Sequence, residues 1–291
     1  MTTRRGRNRR GYVLLLVLFV VALAATAMAS VCRMSLEKAV HAGRTEADLR
    51  RRWAVISCRA VLLPKAEAII AKSKEPGGQV QREVQLNGRP LTLVFADEQA
   101  KANVNLLYAQ GGLSGAEREV RAIVAAAGAP VTVELRPIPG RGKLFGTADA
   151  KDDDPPAFES FGQVFSRAEP RTLLAARGAA PPVVAALTCW GDGSLNLRRA
   201  SAEAVRAVLS RRLAAGEITR LLEMRGKNAN MESSDLLDAL GLSEARRDAV
   251  DDLLAGESAC HSLWIVSATG ERSWYDLAIS DGGDGAMLFS W

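Results

Sequence analysis

Histidine is almost missing from this sequence. His41 and His261 are the only two in 291 residues and stand far apart, so a His-built metal site or acid–base pair is not expected. Cysteine is scarce as well: Cys32, Cys58, Cys189 and Cys260 form no C-x-x-C pair and keep no regular spacing. Cys189 and Cys260 each adjoin an expected strand, which leaves two readings open, an export-side bridge or two unpaired buried thiols. The stretch "GRGKLFG" lacks the Gly-Lys-Ser/Thr order of a phosphate loop. "GDGSLN" and "SDGGDG" are Gly/Asp turns, too short for an EF-hand and without its closing Glu. No nucleophile–base set is marked, so an enzyme is not expected.

Net charge is lacking too, once its position is considered. The chain has 38 Lys+Arg against 33 Asp+Glu. Arg4, Arg5, Arg7, Arg9 and Arg10 supply the whole surplus of five with no acid among them, so the residues after Gly11 balance at 33 against 33. A neutral body offers no field to a polyanion, and nucleic acid is not an expected partner. Asp152 to Asp154 could present hard oxygens to calcium, although an acidic loop is usually just solvated.

What the sequence does have begins at Tyr12. From there to Cys32, 21 residues pass without a charge, enough to cross a bilayer core as a helix. Three readings compete for this opening. A basic start, an apolar middle and Ala27-Met28-Ala29 suit a secretory signal peptide. The length and the basic bias before Gly11 suit a plain anchor held with its basic end on the cytoplasmic side. A short basic peptide ending in Gly before a hydrophobic residue also suits a prepilin-type leader, cut between Gly11 and Tyr12 so that the apolar helix survives. The local text alone divides evenly between signal peptide and prepilin.

Beyond Arg33 the pattern stays helical, with Leu49, Trp53, Ile56, Ala60 and Leu63 at i, i+3/i+4 spacing. Pro64 should bend or interrupt that helix, and "KEPGGQ" should end it. Asn87-Gly88 between two β-rich runs predicts a hairpin, because both turn positions need positive φ. Ser114 and Glu117 read as a capping box for a helix that stops at Gly128. "VTVELRPIP" and "PVVAALTCW" read as strands, and about 140–156 as loop. A helical block follows from Ser201 to Leu254, with Ser caps and Gly stops. A hairpin with its tip at Gly270-Glu271 and a last strand, "AMLFSW", close the chain; Trp264, Trp274 and Trp291 lie in this ending and read as core. The expected class is α+β, with a long N-terminal helix, a mostly helical insert and terminal strands that close back on the first hairpin.

Two stretches carry a resemblance. "DEQAKANVNLL", directly after the first hairpin, is similar to a D-x-x-x-K/R-x-N-[LV]-N-x-L element, and "LTCWGDGSLNLRRASAEAVRAVL" resembles a strand, Gly turn and N-[LIV]-N-T-A stretch before a helix-hairpin-helix-like unit. Together with "HSLWIVSATGERSWYDLAI" and the leader, their order resembles general secretion pathway protein K, the large minor pseudopilin of type II secretion systems. Asn103 and Asn196 match the first Asn of each element and Asn105 the second of the first. Arg198 and Arg199 depart from the usual Asn and Thr. Each Asn suits a structural turn, bonding nearby backbone or tolerating left-handed geometry.

The resemblance implies a division into leader 1–11, membrane-spanning part 12–32, periplasmic helix and first hairpin 33–96, insert 97–259 with a helix-hairpin-helix-like part at 194–256, and terminal strands 260–291 completing a pilin-like antiparallel sheet. It also implies prepilin peptidase cleavage at Gly11 and N-methylation of Tyr12. The mature fifth position would be Leu16, where most pilin-like subunits carry Glu, an absence that suits a filament tip. Implied partners are other minor pseudopilins and the inner-membrane platform. The implied place is the inner membrane, with a single pass, a cytoplasmic N-terminus and a periplasmic body. No cofactor is required by this reading, and calcium is left open. The alternative is a signal-anchored periplasmic binding or adaptor protein with no filament role.

Overall fold

Residues 8–73, 78–86, 88–136, 158–176, 180–228, 231–269, 272–280 and 286–290 are described by the structure, a computed structural model. The chain divides into two units, Met1–Ala54 and Val55–Trp291. The first unit holds most of helix α1 (Asn8–Leu62), which is long and apolar enough to cross a membrane. Every side chain from Tyr12 to Glu46 is exposed. Past the apolar run, the helix carries i,i+4 ion pairs such as Arg33–Glu37 at 3.0 Å, each a small local support in water.

Pro64 acts as expected, since it cannot donate to the helical ladder. Helix α1 stops at Leu62, Leu63–Lys65 forms a 3-10 turn, and α2 (Ala66–Ala71) resumes. Of the periodic set from Leu49 to Leu63, only Leu63 is buried. Leu49, Trp53, Ile56 and Ala60 are exposed, and the covered positions are Val55 and Cys58.

The second unit is built on a five-stranded antiparallel sheet of order β1-β2-β7-β8-β9. Its strands are β1 (Gln79–Leu86), β2 (Arg89–Asp97), β7 (His261–Thr269), β8 (Arg272–Ser280) and β9 (Ala286–Ser290). Leu86 pairs with Arg89 across the first hairpin, and Gly88 has the positive φ, 73°, that its turn position demands; Asn87 lies outside the described residues. Thr269 pairs with Arg272, while the tip at Gly270-Glu271 and Trp291 also lie outside them. The terminal hairpin closes back on the first one, because β7 pairs with β2 from Leu91↔Ser267 to Asp97↔His261.

Strand β2 is apolar on both faces, as a strand covered on both sides must be. Val94, Trp264, Leu277 and Ile279 join the core of the inserted residues. By alternation, Leu93, Phe95, Leu263 and Ile265 point the other way, on a sheet whose strands β2 and β7 lie against α2.

Everything between β2 and β7 is the insert. Strand β3 (Ala102–Asn103) runs parallel to β6 (Leu187–Thr188), and β4 (Thr132–Val133) antiparallel to β5 (Phe165–Ser166). Helices α3 (Val104–Ala126), α4 (Pro170–Leu174), α5 (Ala202–Leu209), α6 (Ala215–Lys227), α7 (Ser233–Leu240) and α8 (Glu244–Asp251) complete it.

Several sequence expectations need correction here. Helix α3 begins at Val104 and is capped by Asn103; Ser114 and Glu117 fall inside it, after a break at Gly112 (φ 62°, ψ −172°). "PVVAALTCW" forms a 3-10 turn at Val183–Ala185 and only two strand residues, its alanines offering little branched surface to a pleated sheet. The described residues of "VTVELRPIP" likewise give a strand only at Thr132–Val133. Helix α8 ends at Asp251, before Gly256, and the chain next pairs Leu254 with Leu195. Ser243 stands at its N-cap without a side-chain bond. By contrast, Ser201 caps α5 through Ala204 N at 3.1 Å, and Gly128 and Gly241 take positive φ after their helices. The expected loop at 140–156, with Asp152 to Asp154, lies outside the described residues.

Candidate functional site

The polar groups of unit two gather where the chain leaves the sheet at Asp97 and returns at His261. Asp97 is fully buried. Its Oδ1 accepts from the backbone N–H of Gln99 (3.0 Å) and Ala100 (3.2 Å), capping the 3-10 turn Glu98–Ala100. Its Oδ2 accepts from Ser258 Oγ (2.7 Å), Asn196 Nδ2 (3.2 Å) and Arg199 Nη1 (3.3 Å). One carboxylate thus ties the outgoing strand to the returning segment and to the second Asn element.

The next residues repeat the pattern. Glu98 accepts from Lys101 Nζ, Ser262 Oγ and Thr188 Oγ1, all of them buried. A buried ion pair is tolerated only with its remaining lone pairs filled, and the two hydroxyls fill them. Gln99 donates to Asp192 Oδ1 (2.7 Å) and Ser194 Oγ (2.8 Å), and accepts from Ala259 N (2.5 Å). Its carbonyl accepts from Asn196 N at 2.6 Å. "GDGSLN" is therefore an Asx-type turn, with Asp192 Oδ1 accepting from Ser194 N at 2.9 Å.

The three asparagines singled out by sequence fall in this neck or just inside it. Asn103 caps α3 and donates to Trp190 O at 2.9 Å. Asn105 donates to Phe158 O (3.1 Å) and Cys189 O (3.0 Å) and accepts from Phe158 N (2.7 Å). Asn196 donates to Asp97 and to Ser258 Oγ (2.7 Å) and accepts from Arg198 N (3.2 Å). All three are buried and bond backbone, but none has positive φ. Left-handed geometry is not what they supply.

Glu67 and Arg225, which the sequence did not flag, complete the arrangement with Arg199 and His261, whose partners it did not reveal. Glu67 on α2 receives both guanidinium arms of Arg199 at 2.7 Å each, and His261 Nε2 stands 2.8 Å from its Oε2. Hydrogen bonding from Arg199, against some desolvation and with help from His261, lowers the Glu67 carboxyl to about 2. His261, isolated in sequence, is part of a cluster. Arg225 of α6 donates to the carbonyls of Leu197 (2.8 Å) and Ala200 (2.6 Å), and burial lowers its pKa. No local signal could have found partners this distant.

The cysteines are thiols; Cys189 and Cys260 are not joined. Burial, with Glu98 nearby, pushes the Cys189 thiol upward. Among the described residues no group of three His, Cys, Asp or Glu side chains is placed to hold a metal. Gly11 and Tyr12 fall in the first turns of α1, and Leu16 is exposed on it. The arrangement as a whole fixes one body to another; its polar atoms face one another.

No family model and no curated protein matches the chain. Among solved structures it is similar in fold to a chain of the GspK-GspI-GspJ complex from the enterotoxigenic Escherichia coli type 2 secretion system. That likeness has a TM-score of 0.50 at 12% identity, and spans 86% of this chain and 98% of that one.

Proposed function

We propose that this protein is a non-enzymatic assembly subunit, a K-like minor pseudopilin that initiates and caps the pseudopilus tip of a type II secretion system. A prepilin peptidase removes residues 1–11, Tyr12 is N-methylated, and the retained helix anchors the chain in the inner membrane with its body in the periplasm. Its partners are other minor pseudopilins and the inner-membrane platform. The fold likeness and the order of the two Asn elements support this reading.

The observation that carries it is the helix itself. Trp53 is 67% exposed and Leu49 53% exposed, well past the apolar run. The two stand four residues apart on one helical face, an apolar pair that a helix packing on sister helices would cover. The absence of an acid at Leu16 fits a subunit with no neighbour beyond it, because a buried unpaired charge there costs about 2.5–3.5 kcal/mol.

Mass spectrometry of the mature chain tests the processing: a first residue of methylated Tyr12 is expected, and a chain starting at Ser30 or retaining Met1 overturns it. Crosslinks from positions 14–29 to other pseudopilins are expected on the same reading. An anchored adaptor would give lipid or self adducts only.

A further inference from the structure

A pocket of about 550 Å³ opens where β4 and β5 meet the chain that leads into α4. Strand alternation builds it. Val133, Leu135 and Phe165 are buried in the core of the inserted residues, so Thr132, Arg136 and Ser166 stand on the outer face. Thr132 lies directly opposite Ser166 in the ladder, and both line the pocket together with Arg136, Arg167, Glu169 and Thr172.

Two further observations say what fits there. The polar groups of the neck bond one another, whereas here the side chains of Thr132, Ser166, Arg167, Glu169 and Thr172 make no hydrogen bond or ion pair among the described residues. Arg136 is engaged by Glu134 at 2.5 Å. Arg167 is also the only non-glycine residue with positive φ among the described residues, at 59°. A Cβ is disfavoured in that region, and glycine would occupy it more easily. An arginine that strains the backbone and bonds nothing in the fold has the pattern of a side chain kept for a ligand.

We propose that this pocket binds a small zwitterion, a polar amino acid or a short peptide, with its carboxylate on Arg167 and its ammonium on Glu169. A guanidinium and a carboxylate that share one pocket, unpaired with each other, complement such a ligand. An anion alone meets the like charge of Glu169, and a cation alone that of Arg167. The three hydroxyls can donate to the carboxylate or accept from the ammonium. The proposal is independent of the filament reading, which concerns α1.

The test uses the full chain in detergent micelles and ligand-observed NMR titrations with serine, the tripeptide Gly-Ser-Gly, acetate and methylammonium. A zwitterion is expected to bind roughly fivefold more tightly than either singly charged probe, the reach of one solvent-accessible ion pair. The tighter of serine and the tripeptide tells a free amino acid from a peptide as the source. Added salt should narrow the preference. Arg167→Gly should remove it while holding or raising the thermal midpoint, because glycine takes the left-handed conformation without strain. Glu169→Gln should leave serine bound no better than acetate. The proposal is overturned if neither zwitterion binds more tightly than acetate and methylammonium, or if Arg167→Gly binds as the unaltered chain does. A lowered thermal midpoint in Arg167→Gly also overturns it, since that would assign the arginine to the fold.

Discussion

Arg199 holds Glu67 by both guanidinium arms, each contact 2.7 Å, across 132 residues of sequence. The same Nη1 reaches Asp97 at 3.3 Å, and His261 meets the same glutamate at 2.8 Å. Helix α2, the second Asn element and the first residue of β7 therefore share one half-exposed carboxylate.

Removing the cation should loosen this joint. Arg199→Ala is expected to cost about 1–2 kcal/mol in urea unfolding, since it leaves Asp97 short of one charged partner while Ser258 and Asn196 remain. Arg199→Lys should recover only part of that, because an ammonium cannot reproduce a planar two-point grip. A double-mutant cycle with Glu67→Gln should return a coupling near 1 kcal/mol; additive losses would mean that the pair contributes nothing.

Acid should weaken the same joint in a defined window. The Glu67 carboxyl is lowered in the folded chain to about 2 from an ordinary value of 4.5. A depressed carboxylate stabilises the fold above its unfolded value, and that stability is lost as pH falls from 4.5 towards 2. Solvent screening of a half-exposed group reduces the contribution to about 1 kcal/mol. Glu67→Gln should flatten this part of the stability–pH curve, measured by thermal unfolding.

Asn105 should be the least replaceable of the three asparagines. Asn105→Ala strands Phe158 N, Phe158 O and Cys189 O in the interior, a loss of about 3 kcal/mol. Asn103→Ser keeps a neutral oxygen for the cap of α3, loses only the bond to Trp190 O, and is expected to cost less. Chemical denaturation of the two variants checks the order.

How far these features were legible depends on their range. Gly88, Pro64, Ser201 and Gly128 are local instructions, and each is obeyed; the capping box read at Ser114 and Glu117 was local too, and the helix starts at Val104 instead. The strand at Leu187–Thr188 exists because Ala102–Asn103 lies beside it, and no window of sequence contains that fact. "DEQAKANVNLL" was visible as a pattern; its meaning was not. Asn103, Asn105 and Asn196 read as turn formers, whereas each reaches a partner more than fifty residues away. Glu67 had no signal at all, and Arg199 and His261 stood out only as a departure from the usual Thr and as an isolated histidine; none of the three is informative one at a time.

Thiol accessibility is a further check. Cys58, Cys189 and Cys260 are buried, and Cys32 is exposed. In the native chain a small soluble maleimide should label Cys32 alone, and all four after denaturation without reductant. Labelling of only two under the latter condition would reveal a bridge that the fold does not contain.

The placement of Asp97 opposite His261 on neighbouring strands has an evolutionary corollary. In strand order, the sheet treats everything from 98 to 260 as the connection of an ordinary hairpin. Lineages can lengthen, trim or reshape that hanging body without re-registering a single strand, provided that two things persist: a clasp at its root, and an oily lid over Trp264. Selection on the sheet and selection on the body can therefore proceed at different rates within one gene.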